Sequence, residues 1–410
     1  MSAAPRSVFI LADDLSGAAD CAIGAAKAGL KSVVLLDAGA PDQGAKVIAV
    51  DSDSRYRPVA QAQALCAELW RKHAAPGRLL YKKIDSTLRG NFAAEMAALT
   101  GAGVAIVAPA FPATGRTTEG GRVFVKGVPL EQTEVWASEH MQGSADIVAM
   151  LQAAGVPAVS LPLPAVRGGE LRAEFERQLA AGAVQAIVCD AAQDADLAAI
   201  AAASVGLPVY WVGSAGLAAH LFVAAGLQGR AEDLPKLSVS GPIVTVVGSM
   251  SSLSHRQAEA LEAQIELARF LPSPGLLRAG PAHPDWRALE VGLHDALHAG
   301  RDVMLRIAPE EHSDLAQGHA LCAALSQLLA PLAGQIGAMI ATGGETARGL
   351  LATFGSQALQ LVREIEPGIP LSVSVGARAM PIVTKAGAFG SPDALLHCYR
   401  QLAAIRRGAA

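Results

Sequence analysis

Aromatic residues are scarce: Phe, Trp and Tyr make up 4% of the 410 residues, too few for the stacking platforms on which single-stranded nucleic acid lies. Positive charge is not in excess either. Lys and Arg number 33 against 37 Asp and Glu, a formal net charge of -4, which removes the general attraction to a phosphate backbone. The five cysteines, Cys21, Cys66, Cys189, Cys322 and Cys398, stand far apart with no Cys-x-x-Cys pair, so zinc and thioredoxin-like chemistry find no framework and reduced thiols are expected. No apolar run reaches the ~18 to 20 residues of a membrane span, and Met1 to Ser7 lacks a signal-peptide core. The expectation is a cytoplasmic protein without a membrane or nucleic-acid partner. Two phosphate or metal patterns also fail. Gly24 to Gly29 has phosphate-loop spacing, but Leu30 comes next instead of Lys-Ser/Thr, and His294 and His298 frame Asp295 rather than the Glu of a metalloprotease helix.

The chain that remains is built to fold, 51% hydrophobic and 17% charged, rich in Ala and Gly. Small residues favour close packing of helices on sheets, and the length is too great for one ordinary core. We expect an α/β protein of two domains, each a largely parallel sheet flanked by helices, with a cleft between them. The boundaries fall at residues 1–227, a polar linker at 228–241 carrying Pro235, and residues 242–410.

The densest polar cluster is Tyr81 to Asn91, directly after Leu79-Leu80. A short apolar run entering such a cluster reads as the carboxyl end of a buried strand, where open α/β sheets hold their ligands. Lys82, Lys83 and Arg89 can hold an anion, Asp85 can orient or deprotonate a hydroxyl, and Gly90 lets the backbone come close. A solvated turn that caps a helix is the plainer alternative. Upstream, Val8 to Ala12 leads into Asp13-Asp14-Leu15-Ser16-Gly17 and then a small-residue helix. Adjacent acids repel unless they meet hydroxyls, a cation or a metal. One acid suits the helix cap and the other ligand work. Val47 to Val50 runs into Asp51 to Arg55, where Arg55 serves either as a fork for a carboxylate or as a surface ion pair. Pro109 to Gly121 has no periodicity and reads as a long functional loop carrying Arg116, leading to a hairpin over Arg122 to Gln132 that turns at Lys126-Gly127.

The second half repeats strand-to-loop junctions rich in Gly. Ile243 to Val247 precedes Gly248 to Ser254, with Ser249 and Ser251; Ile336 to Ala341 precedes Thr342-Gly343-Gly344-Glu345-Thr346; and Pro381 to Thr384 precedes Lys385-Ala386-Gly387-Ala388-Phe389-Gly390. Each exposes amides where a helix starts, and together they point at a nucleotide phosphate site. Glu345 can reach a ribose hydroxyl or a metal-bound water, or simply favour the helix start.

The order of five motifs, Ala12 to Ala18, Lys82 to Asn91, Gly248 to Ser251, Thr342 to Thr346 and Thr384 to Gly390, resembles the four-carbon acid sugar kinase family, which includes threonate, erythronate and oxo-tetronate kinases. The resemblance spans nearly the whole chain. It implies an N-terminal domain for the sugar acid, a C-terminal domain for ATP, and phosphorylation of the terminal C4 hydroxyl. It carries substrate contacts to Asp14, Arg55, Lys83, Ile84, Asp85 and Ser86, and nucleotide contacts to Ser251, Gly343, Gly387, Ala388, Phe389 and Gly390. The Lys385-Ala386-Gly387-Ala388 loop leans towards threonate-type members.

On this reading Lys83 and Arg55 grip the carboxylate while Asp14 and Asp85 bind hydroxyls. Asp13 and Arg89 complete the substrate side, and Ser249, Gly344 and Glu345 the nucleotide side. Asp85 is the expected base, with Asp14 its rival. Mg2+ is expected to arrive with ATP rather than in a protein cage. A nicotinamide-dependent dehydrogenase of small hydroxy acids, although the Gly-x-Gly-x-x-Gly fingerprint is missing, and a non-catalytic sugar-acid sensor are the competing classes. Association into a homo-oligomer stays open.

Overall fold

The computed structural model describes residues 7–139, 141–227, 229, 234–249, 251–309, 318–387 and 389–408. It separates into two units, Met1–Val34 with Pro41–Asp233, and Leu35–Ala40 with Leu234–Ala410. Of the expected linker, residues 228 and 230–233 lie outside the described residues. No described helix is long and apolar enough to cross a membrane.

In the first unit the strands lie in the spatial order Ser32–Leu35, Val47–Asp51, Ser7–Ala12, Arg78–Lys83, Val209–Gly213, Val104–Ala108, Ala186–Cys189, Ala158–Leu161. From Val47–Asp51 onward every neighbouring pair is parallel. Strands covered on both faces need continuous apolar runs, and Val8 through Ala12 are fully buried. Helix Leu15–Lys27 packs with Ala18, Ala19, Ala22, Ala25 and Ala26 inward. Its Gly24 lets it approach helix Ala215–Ala224, a Cβ there standing 3.4 Å from the Phe222 ring and 3.5 Å from the Ala219 backbone. The small residues thus set the spacing of the layer.

The segment read as a long loop is partly a strand. Arg116–Glu119 pairs antiparallel with Arg122–Val125, which pairs with Val128–Pro129 across the expected Lys126-Gly127 turn. The β-branched pair Thr117-Thr118 and the Gly120-Gly121 turn carried that signal.

The second unit orders its strands Ala268–Phe270, Val303–Arg306, Ile243–Val247, Ala338–Thr342, Pro381–Lys385, Ile369–Gly376, Ser356–Glu366. The first five run parallel and the last two antiparallel to their neighbours. Strand Ser356–Glu366 is not signalled by the sequence, because its Gln, Leu, Arg and Glu residues are helix formers; cross-strand pairing with Ile369–Gly376 overrides that propensity. The expected helix over Asp314 to Leu332 begins outside the described residues, and within them runs Gly318–Leu329.

Both units place their first four strands in the same order: second, third, first, fourth. The chain reverses direction across the sheet between first and fourth, where carboxyl-end loops splay apart and leave room for a ligand. In the first unit those neighbours are Ser7–Ala12 and Arg78–Lys83; in the second, Ile243–Val247 and Ala338–Thr342.

Candidate active site

At the first of these junctions Ala12 lies in register with both Asp51 and Lys83, so Asp13, Ser52 and Ile84 leave the sheet at one level. Asp14 caps helix Leu15–Lys27, its Oδ1 accepting the Gly17 N–H at 3.0 Å. Asp13, 3% exposed, accepts a fork from Arg55, Nε to Oδ2 at 2.7 Å and Nη2 to Oδ1 at 3.0 Å. The same Nη2 donates to Asp14 Oδ1 at 2.7 Å and lies 3.9 Å from Asp85 Oδ2. Arg55 is therefore no surface residue; it ties the three aspartates together. Burial pushes the Asp13 carboxyl up, but Arg55, helped by Lys82 and Lys83, outweighs it and holds the group below the usual carboxylate range.

Asp85 opens the next loop. Its Oδ1 accepts the Thr87 N–H at 2.8 Å and the Thr87 hydroxyl, and its Oδ2 accepts Arg89 Nη2 at 2.7 Å. Burial acts to raise its pKa, yet Arg89 and Arg55 prevail and leave it well below the ordinary value. Arg89 Nη1 also donates to Glu139 Oε1 at 3.2 Å, which accepts from Tyr56. Ile84 donates its N–H to Gly213 O at 2.9 Å, and Ser86 is half-buried. Gly90, at φ +87°, meets its expected role: a Cβ there would stand 3.0 Å from Asp13 Oδ2 and 3.3 Å from Arg55 Cγ. Arg116 is close enough for Asp85 to oppose the lowering of its pKa by burial.

The two lysines part company. Strand alternation sends neighbours to opposite faces. Lys82 is fully buried and paired with Glu95 of helix Phe92–Ala97 at 2.8 Å. It lies behind the site and cannot grip an anion, which corrects the sequence reading. Lys83 lies beside Gly17 and Asp14, and its Nζ donates to Ile84 O at 3.0 Å. No carboxylate among the described residues pairs with it, so it is the cation with charge to spare.

In the second unit Val247 is in register with Thr342, and Thr342 with Lys385. The three Gly-rich junctions thus emerge side by side. Gly343, at φ +94°, donates its N–H to Lys385 O at 2.8 Å, and a Cβ there would lie 3.6 Å from Ser249 N. A Cβ on Gly387 would overlap Ser249 Oγ and stand 3.4 Å from Ser251 Cβ. Ser251 Oγ donates to Gly387 O at 3.2 Å. Gly344 and Glu345 begin helix Gly344–Thr353, presenting first-turn amides. The Glu345 carboxylate lies towards helix Gly318–Leu329, Oε2 being 3.8 Å from where a Gly318 Cβ would stand. Phe389 N–H donates to Ala386 O at 3.2 Å, and Gly390 takes φ +88°. Ala388 lies outside the described residues.

Comparison with known proteins respects the same division. A model of the sugar-binding N-terminal domain matches residues 8–221, and one of the nucleotide-binding C-terminal domain matches residues 244–395. A D-threonate kinase of Cupriavidus necator is 47% identical over 98% of this chain and 99% of its own. The chain belongs to the four-carbon acid sugar kinase family. A D-threonate kinase of Bordetella bronchiseptica is 34% identical, covering 95% of this chain and 96% of that one, and a 3-oxo-tetronate kinase of Methylobacterium radiotolerans 30% identical, covering 93% and 96%. Among solved structures, a Salmonella typhimurium LT2 protein named a tRNA synthase superposes with a TM-score of 0.82 at 22% identity, covering 96% of this chain and 99% of that one. A Haemophilus influenzae protein does so at 0.73 and 20%, covering 96% and 100%. At such identities these two speak for the fold alone.

Sequence reasoning missed three residues around this kinase's first cluster. Glu139 bonds Arg89 from 50 residues away, and Asn91 Nδ2 fastens Ser54 O at 3.1 Å and Arg57 O at 2.9 Å. Glu95 holds both Lys82 and the Ser54 hydroxyl. Asn91 and Glu95 were visible as polar residues at a helix start; nothing local marks Glu139.

Proposed function

We propose that this kinase transfers the γ-phosphoryl group of ATP to the C4 hydroxyl of D-threonate. The observation that carries the reading is the charge arrangement at the first junction, where the Lys83 ammonium, paired with no described carboxylate, stands beside aspartates fixed by Arg55. Lys83 takes the acid's carboxylate, assisted by Arg55 Nη1, which is bonded to no described residue. Asp13 and Asp85 are too firmly held to serve as bases: Asp13 is buried and Asp85 half-buried, and each is bonded to an arginine and depressed in pKa. Asp85 accepts a substrate hydroxyl. Asp14 is engaged through Oδ1 only, its Oδ2 carrying no bond from a described residue, and it takes the C4 hydroxyl proton. This reverses the preference formed from sequence. In the second unit Ser249, Ser251, Gly343, Gly344 and the loop from Gly387 to Gly390 receive the nucleotide, with Glu345 at the helix start. Mg2+ would come with the phosphates and would neutralise charge there.

D-threonate is favoured as acceptor because relatives at 47% and 34% identity bear that name. The test is ADP release coupled to a reporter across D-threonate, L-threonate, D-erythronate and 3-oxo-tetronate, with a parallel measurement of nicotinamide reduction. Highest kcat/KM for D-threonate, with a phosphomonoester at C4 by 31P NMR, is expected. Another acid winning overturns the substrate; no ADP from any of them, or hydride transfer instead, overturns the reaction.

A further inference from the structure

Lys385 ends strand Pro381–Lys385 at 1% exposure, and among the described residues no carboxylate pairs with it. Its ammonium is spent mainly on backbone, with a longer bond to Ser254 Oγ at 3.5 Å. Nζ donates to Ala386 O at 2.9 Å, Phe389 O at 3.1 Å and Gly387 O at 3.2 Å. Helix Ser252–Gln264 grips the same carbonyls from alongside: Ser254 Oγ donates to Gly387 O at 2.9 Å, and Gln257 Nε2 to Phe389 O at 3.1 Å and Ser391 O at 2.7 Å.

The peptide plane converts this grip into a direction. In a trans peptide the C=O and the following N–H point opposite ways, and no cis bond occurs among the described residues. Carbonyls of Ala386 and Phe389 drawn towards the amine turn the amides of Gly387 and Gly390 away from it. Neither amide donates to a described residue. Outward amides over a buried positive charge form an anion-binding concavity.

We infer that Lys385 is a positioning residue, an internal clamp that with Ser254 and Gln257 draws loop carbonyls inward and so aims the Gly387 and Gly390 amides at nucleotide phosphate oxygens. It does not touch the phosphates itself. The inference rests on the nucleotide reading of this loop given above. Burial brings the amine down to about 8, while the groups facing it, Cys398 of helix Ala394–Arg406 and Glu366 of strand Ser356–Glu366, act in the opposite sense. A deprotonated amine has fewer hydrogens for three carbonyls, so the clamp slackens as pH rises through that value.

The test is calorimetric binding of ADP, and competitive binding of adenosine, to the full chain and to Lys385→Met and Gln257→Leu. Loss of two charge-assisted amide contacts predicts about a tenfold or greater drop in ADP affinity for Lys385→Met and about threefold for Gln257→Leu. Adenosine affinity and the KM for the sugar acid should hold. Wild-type ADP affinity should fall between pH 7.5 and 9, where ADP itself no longer titrates, with adenosine unaffected. Equal losses for ADP and adenosine, or unchanged ADP binding in either variant, overturn the clamp. If Lys385→Met fails to fold, Gln257→Leu and the wild-type pH profile decide. A wild-type protein that binds no ADP overturns the nucleotide reading instead.

Discussion

Adjacent lysines with opposite duties allow a sharp test. Replacing Lys82 by Met removes the partner of Glu95, whose side chain is 1% exposed and 2.8 Å from the ammonium. Breaking a buried ion pair from one side costs about 3–5 kcal/mol, which in a unit of this size lowers the melting temperature by roughly 6 to 20 °C. The double replacement Lys82→Met with Glu95→Leu removes both charges and should recover most of the stability. Lys83→Met behaves otherwise. It forfeits one bond to Ile84 O, about 1 kcal/mol, but removes a charged contact to substrate worth about 1.5–3 kcal/mol, so the KM for the acid rises roughly ten- to a hundredfold. Calorimetric melting with initial rates at varied acid and ATP reads both quantities. A Lys82→Met enzyme with a wild-type melt and a tenfold higher KM for the acid would refute the division of labour.

The same geometry sets three further outcomes. Asp14→Asn should lower kcat by about 10² to 10⁴ with both KM values nearly held, whereas Asp85→Asn should act mainly on the KM for the acid; steady-state kinetics showing the reverse returns the base to Asp85. Asp13 and Asp85 have folded pKa values below their ordinary ones, so their stabilisation is present above about pH 3.9 and lost as pH falls through the folded values. Arg55→Met removes the main force lowering the Asp13 pKa and leaves Lys82 and Lys83 alone against burial, so that pKa should rise and acid unfolding tracked by circular dichroism should move to higher pH; an unmoved midpoint counts against the fork. Gly387→Ala places a methyl on Ser249 Oγ and should weaken ADP binding with little effect on the affinity for the acid, both measurable by calorimetry.

Much of this site could be read from residue order because its chemistry is local to strand ends. Val8 to Ala12 with Asp13-Asp14 after it, or Ala338 to Thr342 with Gly343-Gly344, announce a parallel strand and its loop together, since burial on both faces demands the apolar run and the ligand edge demands polar or glycine residues immediately beyond it. The relations among those loops were not legible. That Arg55 joins Asp13, Asp14 and Asp85 depends on register between strands far apart in the chain, and no short window encodes register. The same limit explains the lysines: alternation says that Lys82 and Lys83 face apart, but only the arrival of Glu95 behind the sheet says which of them is spent.

Lys385 belongs to a Gly-rich junction that points at a phosphate, yet its strand holds the side chain inside. A lysine in a Gly-rich loop invites a direct phosphate contact, since that is what an exposed ammonium does best. Here strand pairing of Pro381–Lys385 with Ala338–Thr342 carries the side chain to 1% exposure before the loop begins, and a buried ammonium must find acceptors where it lies. The nearest are the loop's own carbonyls, so the positive charge acts through the peptide plane. On the reading proposed above, the two units use cations in opposite ways: in the first, Lys83, with no described carboxylate paired to it, is left for the acid's carboxylate, and in the second Lys385 is held by loop carbonyls and Ser254 so that amides, rather than the lysine, meet the phosphates.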